Sequence, residues 1–146
     1  MPSVWAKILG DVKTLVTAVS PTGIVKVRKR IKRFADEEFP LIVISPLRDV
    51  EVQAEEAYGD IVHIDYEVLI AIIYDGNQKL ETDLNNVLDA REAIRHALHV
   101  TGLTNATTVY DSLINLEPTY DATELDKNYD YSSLSVTYRS KESRNS

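Results

Sequence analysis

Glu92, His96 and His99 are the residues of this chain best spaced for chemistry. Steps of four and three put them on one stripe of a helix, opposite its apolar side, where a transition metal could accept them with one further ligand from elsewhere. The pattern is looser than a metalloprotease signature, and any exposed helix face brings some polar residues together at this spacing. No metal ligand is assigned. His63 alternates with acidic neighbours along a strand face and reads as an ion-pair partner rather than a base. The chain contains no cysteine, which excludes disulfides, thiol nucleophiles and cysteine-ligated zinc or iron-sulfur centres. Its serines cluster in turns, the last strand and the tail, without a Gly-x-Ser-x-Gly elbow. Four of the five glycines, Gly23, Gly59, Gly76 and Gly102, sit at element boundaries and the fifth, Gly10, inside a helix, so no phosphate-cradling loop is present. The residues thus offer no catalytic group and no cofactor site. A small ligand-binding or metal-dependent enzyme using the Glu92, His96, His99 stripe is the alternative of a different class.

Charge adds a second feature. The 146 residues carry a net charge of −7, yet six of the sixteen Lys and Arg residues fall between Lys26 and Arg33. A basic strand face can track phosphates, but the exposed aromatics that would stack bases are missing and the overall acidity opposes nucleic acid. Instead, Lys26, Arg28, Arg30 and Lys32 are expected to share the outer sheet face with Glu51, Glu55, Asp65 and Glu67, forming a mixed-charge face or a subunit contact. Tyrosines outnumber phenylalanines eight to two. Tyr120, Tyr129 and Tyr131 lie in or beside an acidic loop, Pro118 to Asp130, whose length favours partner recognition.

The elements that must position these residues follow from periodicity. Ser3 can cap a helix whose apolar side is Val4, Trp5, Ile8, Val12, Leu15, Val16 and Val19. Val25, Val27 and Ile31 then alternate with the basic residues in an amphipathic strand. Phe39 to Ile44 is a buried strand stopped by Pro46. Val50, Val52 and Ala54 alternate with Glu51, Gln53 and Glu55 up to a turn at Tyr58-Gly59-Asp60, which makes a hairpin with the strand that follows. A second helix has Leu80, Leu84, Val87, Leu88, Ala90, Arg91, Ile94, Ala97 and Leu98 inward. Thr107 to Glu117 reads as a strand whose apolar residues change phase, as at a bulge. A closing strand turns Leu134, Val136 and Tyr138 inward. The expectation is one two-layer α+β domain over residues 1–139, in the order α-β-β-β-β-α-β-β, with a largely antiparallel sheet and a flexible tail at 140–146. No basic segment precedes an apolar one at the N-terminus, and no apolar run approaches bilayer length, so a soluble, unprocessed protein without membrane contact is expected.

Val62 to Tyr74 is the most telling stretch. Val62, Ile64, Tyr66, Val68, Ile70, Ile72 and Tyr74 form one apolar row, while the opposite row begins His63, Asp65, Glu67 and becomes Leu69, Ala71, Ile73. A strand apolar on both faces needs cover on both. With both helices on one side, Leu69, Ala71 and Ile73 would be covered by another subunit, which points to an assembly protein.

The ordered features resemble the tail terminator, or tail-completion, proteins of long-tailed bacteriophages. The residues carrying the likeness are the N-terminal helix, Pro21 to Val25, Phe39 to Pro46, Val68 to Tyr74, Leu88 to Leu98 and Tyr131 to Tyr138. The resemblance implies a structural, non-enzymatic virion protein assembled in the host cytoplasm, in the tail or neck. It implies a homo-oligomeric ring, generally of six subunits, that caps the tail tube protein, docks to a head-completion or connector protein and joins tail to head. It supplies no catalytic residues and no cofactor. Another head–tail connector or neck protein is the alternative within that class.

Overall fold

Ser3 starts the first helix as its type requires: its Oγ accepts the Ala6 N–H at 3.1 Å and its carbonyl accepts the Lys7 N–H at 3.2 Å, satisfying donors that a helix start leaves without partners. The computed structural model describes residues 3–19, 24–27, 41–52, 60–75, 80–99, 102–116 and 129–143. Its elements are α1 (Val4–Val19), β1 (Ile24–Val27), β2 (Leu41–Val52), β3 (Ile61–Asp75), α2 (Leu80–Leu98), β4 (Val109–Asn115) and β5 (Tyr129–Ser143). The sheet order is β1-β2-β3-β5-β4, with β1 parallel to β2 and every other pairing antiparallel. This is the expected α+β architecture with one strand fewer before α2.

The missing strand has a local cause. Pro46 does not end its strand: it pairs with Val68, just past the last β1 contact at Val27↔Ile44, and the register slips between Pro46 and Arg48. Proline is tolerated at such a bulge because no ladder donor is demanded of it there. The two expected strands are therefore one. The bulge also reverses side-chain parity, since Ile42 and Ile44 pair with Ile72 and Ile70, whereas Arg48 and Val50 pair with Glu67 and Asp65. Glu51, opposite Ile64, consequently lies on the face away from Asp65 and Glu67. The expectation that it shares their face is corrected, because a one-residue slip exchanges the two faces.

The chain's C-terminal part also departs from expectation. β5 runs to Ser143 and pairs with the whole of β3, from Asp75↔Tyr129 to Ile61↔Ser143. Residues 140–143, read as tail for want of apolar groups, are held by hydrogen bonds instead. Ser140 is fully buried, its Oγ donating to Thr108 Oγ1 at 2.6 Å, and Lys141 N–H donates to the Thr108 carbonyl at 3.0 Å.

Both helices pack on one face of the sheet. Ile8, Val12 and Val16 of α1 and Ala90, Ile94 and Leu98 of α2 close over Ile42, Ile44, Tyr66, Val68, Ile70, Ile72, Leu134, Val136 and Tyr138 in one core. Two buried charges fix the helices to it. Arg91, placed inward by the periodicity, donates from Nη1 to Ser132 Oγ at 3.1 Å and to the Ser133 carbonyl, and from Nη2 to the Leu116 carbonyl. Burial lowers its pKa, with Arg95 adding to the shift. Asp11, outside the apolar row of α1, is 4% exposed and accepts from Asn105 N–H (2.9 Å), Asn105 Nδ2 (2.8 Å) and Ala106 N–H (2.9 Å).

Removing a buried charge's donors while leaving its acceptors is costly. Arg91→Met is expected to lower urea stability by about 2–4 kcal/mol. Gly10, by contrast, is exposed in α1 with no atom within 4 Å of an added Cβ. Gly10→Ala is expected to raise stability by about 0.5–1 kcal/mol in the same titration.

Candidate interaction surface

Away from the helices, the sheet face divides in two along the strands. At one end Leu41, Val43, Ala71, Ile73 and Ser133 are buried and Leu69 is half-buried. At the other, polar groups cross the strands in register. Arg139 of β5 stands between Asp65 of β3 and Asp111 of β4, donating from Nε and Nη2 to the two Asp65 carboxylate oxygens at 2.8 and 3.0 Å. That fork raises the Arg139 pKa, its hydrogen bonding to Asp65 being the main cause. Arg48 reaches Glu67 at 3.3 Å in the neighbouring row, with its side chain 69% exposed. Such exposed pairs contribute little stability and chiefly define register.

His63 differs from its expected role as an ion-pair partner. It is 2% exposed, with Nδ1 2.6 Å from the Tyr110 hydroxyl and the two rings edge to face at 5.6 Å. The aromatic ring of Tyr110 covers it where an acid was expected. On the helix face, Tyr66 donates its hydroxyl to Glu142 at 2.6 Å and Trp5 packs edge-on against its ring at 5.1 Å.

The sequence-derived candidates are distributed as follows. Lys26 is in β1 at the register position opposite Val43, while Arg28, Arg30, Lys32 and Tyr120 lie outside the described residues. Tyr129 and Tyr131 stand in β5 opposite Asp75 and Ile73. Asp65 and Glu67 have Arg139 and Arg48 as their ion-pair partners, so neither depends on the basic stretch for a counter-charge. Both helices do lie on the Val68, Ile70, Ile72 side, and Ala71 and Ile73 are 6% and 1% exposed within the single chain. Leu69 remains half-buried. Glu92 and His96 form an exposed pair at 3.7 Å, and His99 lies beyond the end of α2. Among the described residues no three metal-ligating side chains converge.

Sequence reasoning missed exposed apolar groups on two strands: Leu47 and Val50 on β2, and Tyr110 and Leu113 on β4, with Leu116 just after it. The available signal was the phase change in 107–117, where the register does slip, between Val109 and Asp111.

No protein-family model matches the chain, and no curated protein matches it. Among solved structures, it is similar to the sheath/tube terminator, in the extended state, of the extracellular contractile injection system PVC, with a TM-score of 0.52 and 14% identity. The match covers 94% of this chain and 55% of the terminator, so this chain spans about half of that protein's length. At this identity the likeness shows a shared fold.

Burial raises the hydroxyl pKa of Tyr66, helped by its hydrogen bond to Glu142, and that of Tyr138, helped by the Asp11 charge, both well above the ordinary value of 10.0. Because the folded state holds both phenols neutral while the unfolded chain ionises them near pH 10, their contribution is complete below pH 10 and lost as pH rises further. Melting temperature is expected to fall steeply between pH 10 and 12, and Tyr66→Phe or Tyr138→Phe to flatten that fall.

Proposed function

We propose that this protein is a structural assembly protein that ends a phage-type tail. Six copies form a ring over the growing end of the tail tube, and the opposite surface of the ring receives a head-completion or connector protein, so that termination and head joining are two sides of one assembly in the virion neck. No reaction is required of it; the mechanism is geometric, because covering the polymerising surface stops growth. The observation that carries this reading is the two-layer fold shared, over 94% of the chain, with the PVC sheath/tube terminator, and the ordered sequence features that resemble tail terminators support it.

Under this reading Lys26, Arg28, Arg30 and Lys32, together with Leu69, Tyr120, Tyr129 and Tyr131, contact neighbouring protein rather than nucleic acid. The chain's charge of −7 favours passage of DNA without adhesion.

Added to polymerising tail tube protein, the purified protein is expected to halt elongation and appear as a terminal ring by electron microscopy; tubes that grow at an unchanged rate with bare ends would refute the proposal. Arg28→Glu with Arg30→Glu is expected to weaken capping at least tenfold, with a loss that depends on salt. Tight binding of the unmodified protein to random duplex DNA would count against the protein-contact assignment.

A further inference from the structure

The sheet face away from the helices holds a pocket of about 430 Å³ lined by His63, Thr107, Thr108, Tyr110 and Lys141. Its parts are held in place by the ladder and by one turn. His63 of β3 and Lys141 of β5 are register partners, on the face of Asp65 and Arg139. The turn from Ala106 to Val109, closed by the Val109 N–H donating to the Ala106 carbonyl at 3.1 Å, carries Thr107 and Thr108. The Thr108 carbonyl in turn accepts the Lys141 N–H at 3.0 Å, which ties turn and strand together.

The groups around this pocket are hydrogen-bond donors. Lys141 is exposed, and the acids near it are engaged elsewhere: Asp65 with Arg139, Glu142 with the Tyr66 hydroxyl, and Asp111 Oδ1 with the Ser112 N–H. In a chain of net charge −7, its ammonium is a cation that these neighbours leave uncompensated. Thr108 Oγ1 accepts from Ser140 Oγ at 2.6 Å, so its own hydrogen is left to donate. His63 supplies the decisive group. The Tyr110 hydroxyl, a better donor than an imidazole N–H, gives its hydrogen to Nδ1 at 2.6 Å, which leaves the ring's hydrogen on Nε2. That nitrogen is buried without a hydrogen-bond partner, in a residue 2% exposed. A buried donor in this state is rare in a folded protein unless a bound group completes it.

One cation with neutral donors around it matches a monoanion that has two acceptor oxygens. A phosphodiester backbone would instead bring repeated negative charge to a face that also carries Asp65 and Asp111. The pocket is larger than a bare ion fills and suits a side chain together with the backbone that bears it. Leu113, 72% exposed on the same face, offers such a segment an apolar neighbour.

We infer that the pocket binds the carboxylate of an aspartate or glutamate side chain on a protein segment that docks against this sheet face, with Lys141 Nζ, His63 Nε2 and Thr108 Oγ1 as its donors. The inference goes beyond the terminator reading and does not depend on it.

The test is a titration of the full-length protein, followed by NMR, with a capped Ala-Glu-Ala peptide, its Ala-Gln-Ala counterpart and inorganic phosphate. The chain has three histidines, so the His63 ring can be followed beside the exposed His96 and His99. The Glu peptide is expected to shift the His63 ring and the Thr107 and Thr108 amides saturably, with a Kd on the order of 1–10 mM, and to leave His96 and His99 unmoved. The Gln peptide is expected to bind at least about tenfold more weakly, as is the Glu peptide to Lys141→Met, because a charge-assisted bond is lost in each case. Lys141 is exposed, so circular dichroism of that variant is expected to be unchanged. Absence of saturable shifts by about 100 mM, shifts that spare the His63 ring, equal binding of the Gln peptide, or binding that survives Lys141→Met would each overturn the inference. Phosphate that saturates the same resonances more tightly than the Glu peptide would mark a phosphate pocket and overturn the carboxylate assignment.

Discussion

The backbone ladder of β3 is the constraint on which the rest of this structure depends. All fifteen residues of this strand pair with β5, and from Ile73 to His63 they also pair with β2. A buried strand cannot leave N–H and C=O groups without partners, so the length of β3 dictates the length of its neighbours. That is why β5 continues through Ser140, Lys141, Glu142 and Ser143, residues with no apolar reason to be ordered, and why β2 continues past a proline. Around this triplet the helices need cover only one face, which they do with a single continuous core.

Two charged side chains make that arrangement specific. Arg91 gathers acceptors from β5 and from the residue following β4, while Asp11 gathers donors from the loop before β4. Apolar packing alone would tolerate sliding of a helix along the sheet. A buried charge does not, because any shift leaves it without partners in a medium that cannot solvate it. Both anchors also hold the surroundings of β4, the last strand of the sheet among the described residues.

Among the described residues, Arg139–Asp65 and Arg48–Glu67 form cross-strand ion pairs on one sheet face, and exposed apolar groups stand on β2, β3 and β4.

Sequence by itself determined the local elements: the Ser3 cap, the apolar side of α1, the inward Ala90, Arg91, Ile94 and Leu98 of α2, and the two-faced character of β3. Each is set by residues within a few positions of one another, and period and capping chemistry report such short-range order directly. Tertiary structure decided the rest. The bulge that turns Glu51 to the helix face, the burial of His63 beneath Tyr110, the three hydrogen bonds that bury Asp11, and the ordering of residues 140–143 all arise from partners 32 to 95 positions away or from a register slip in a paired strand. A polar residue looks the same in sequence whether solvent or a distant donor satisfies it. Only the sheet order, which brings β5 between β3 and β4, supplies those partners.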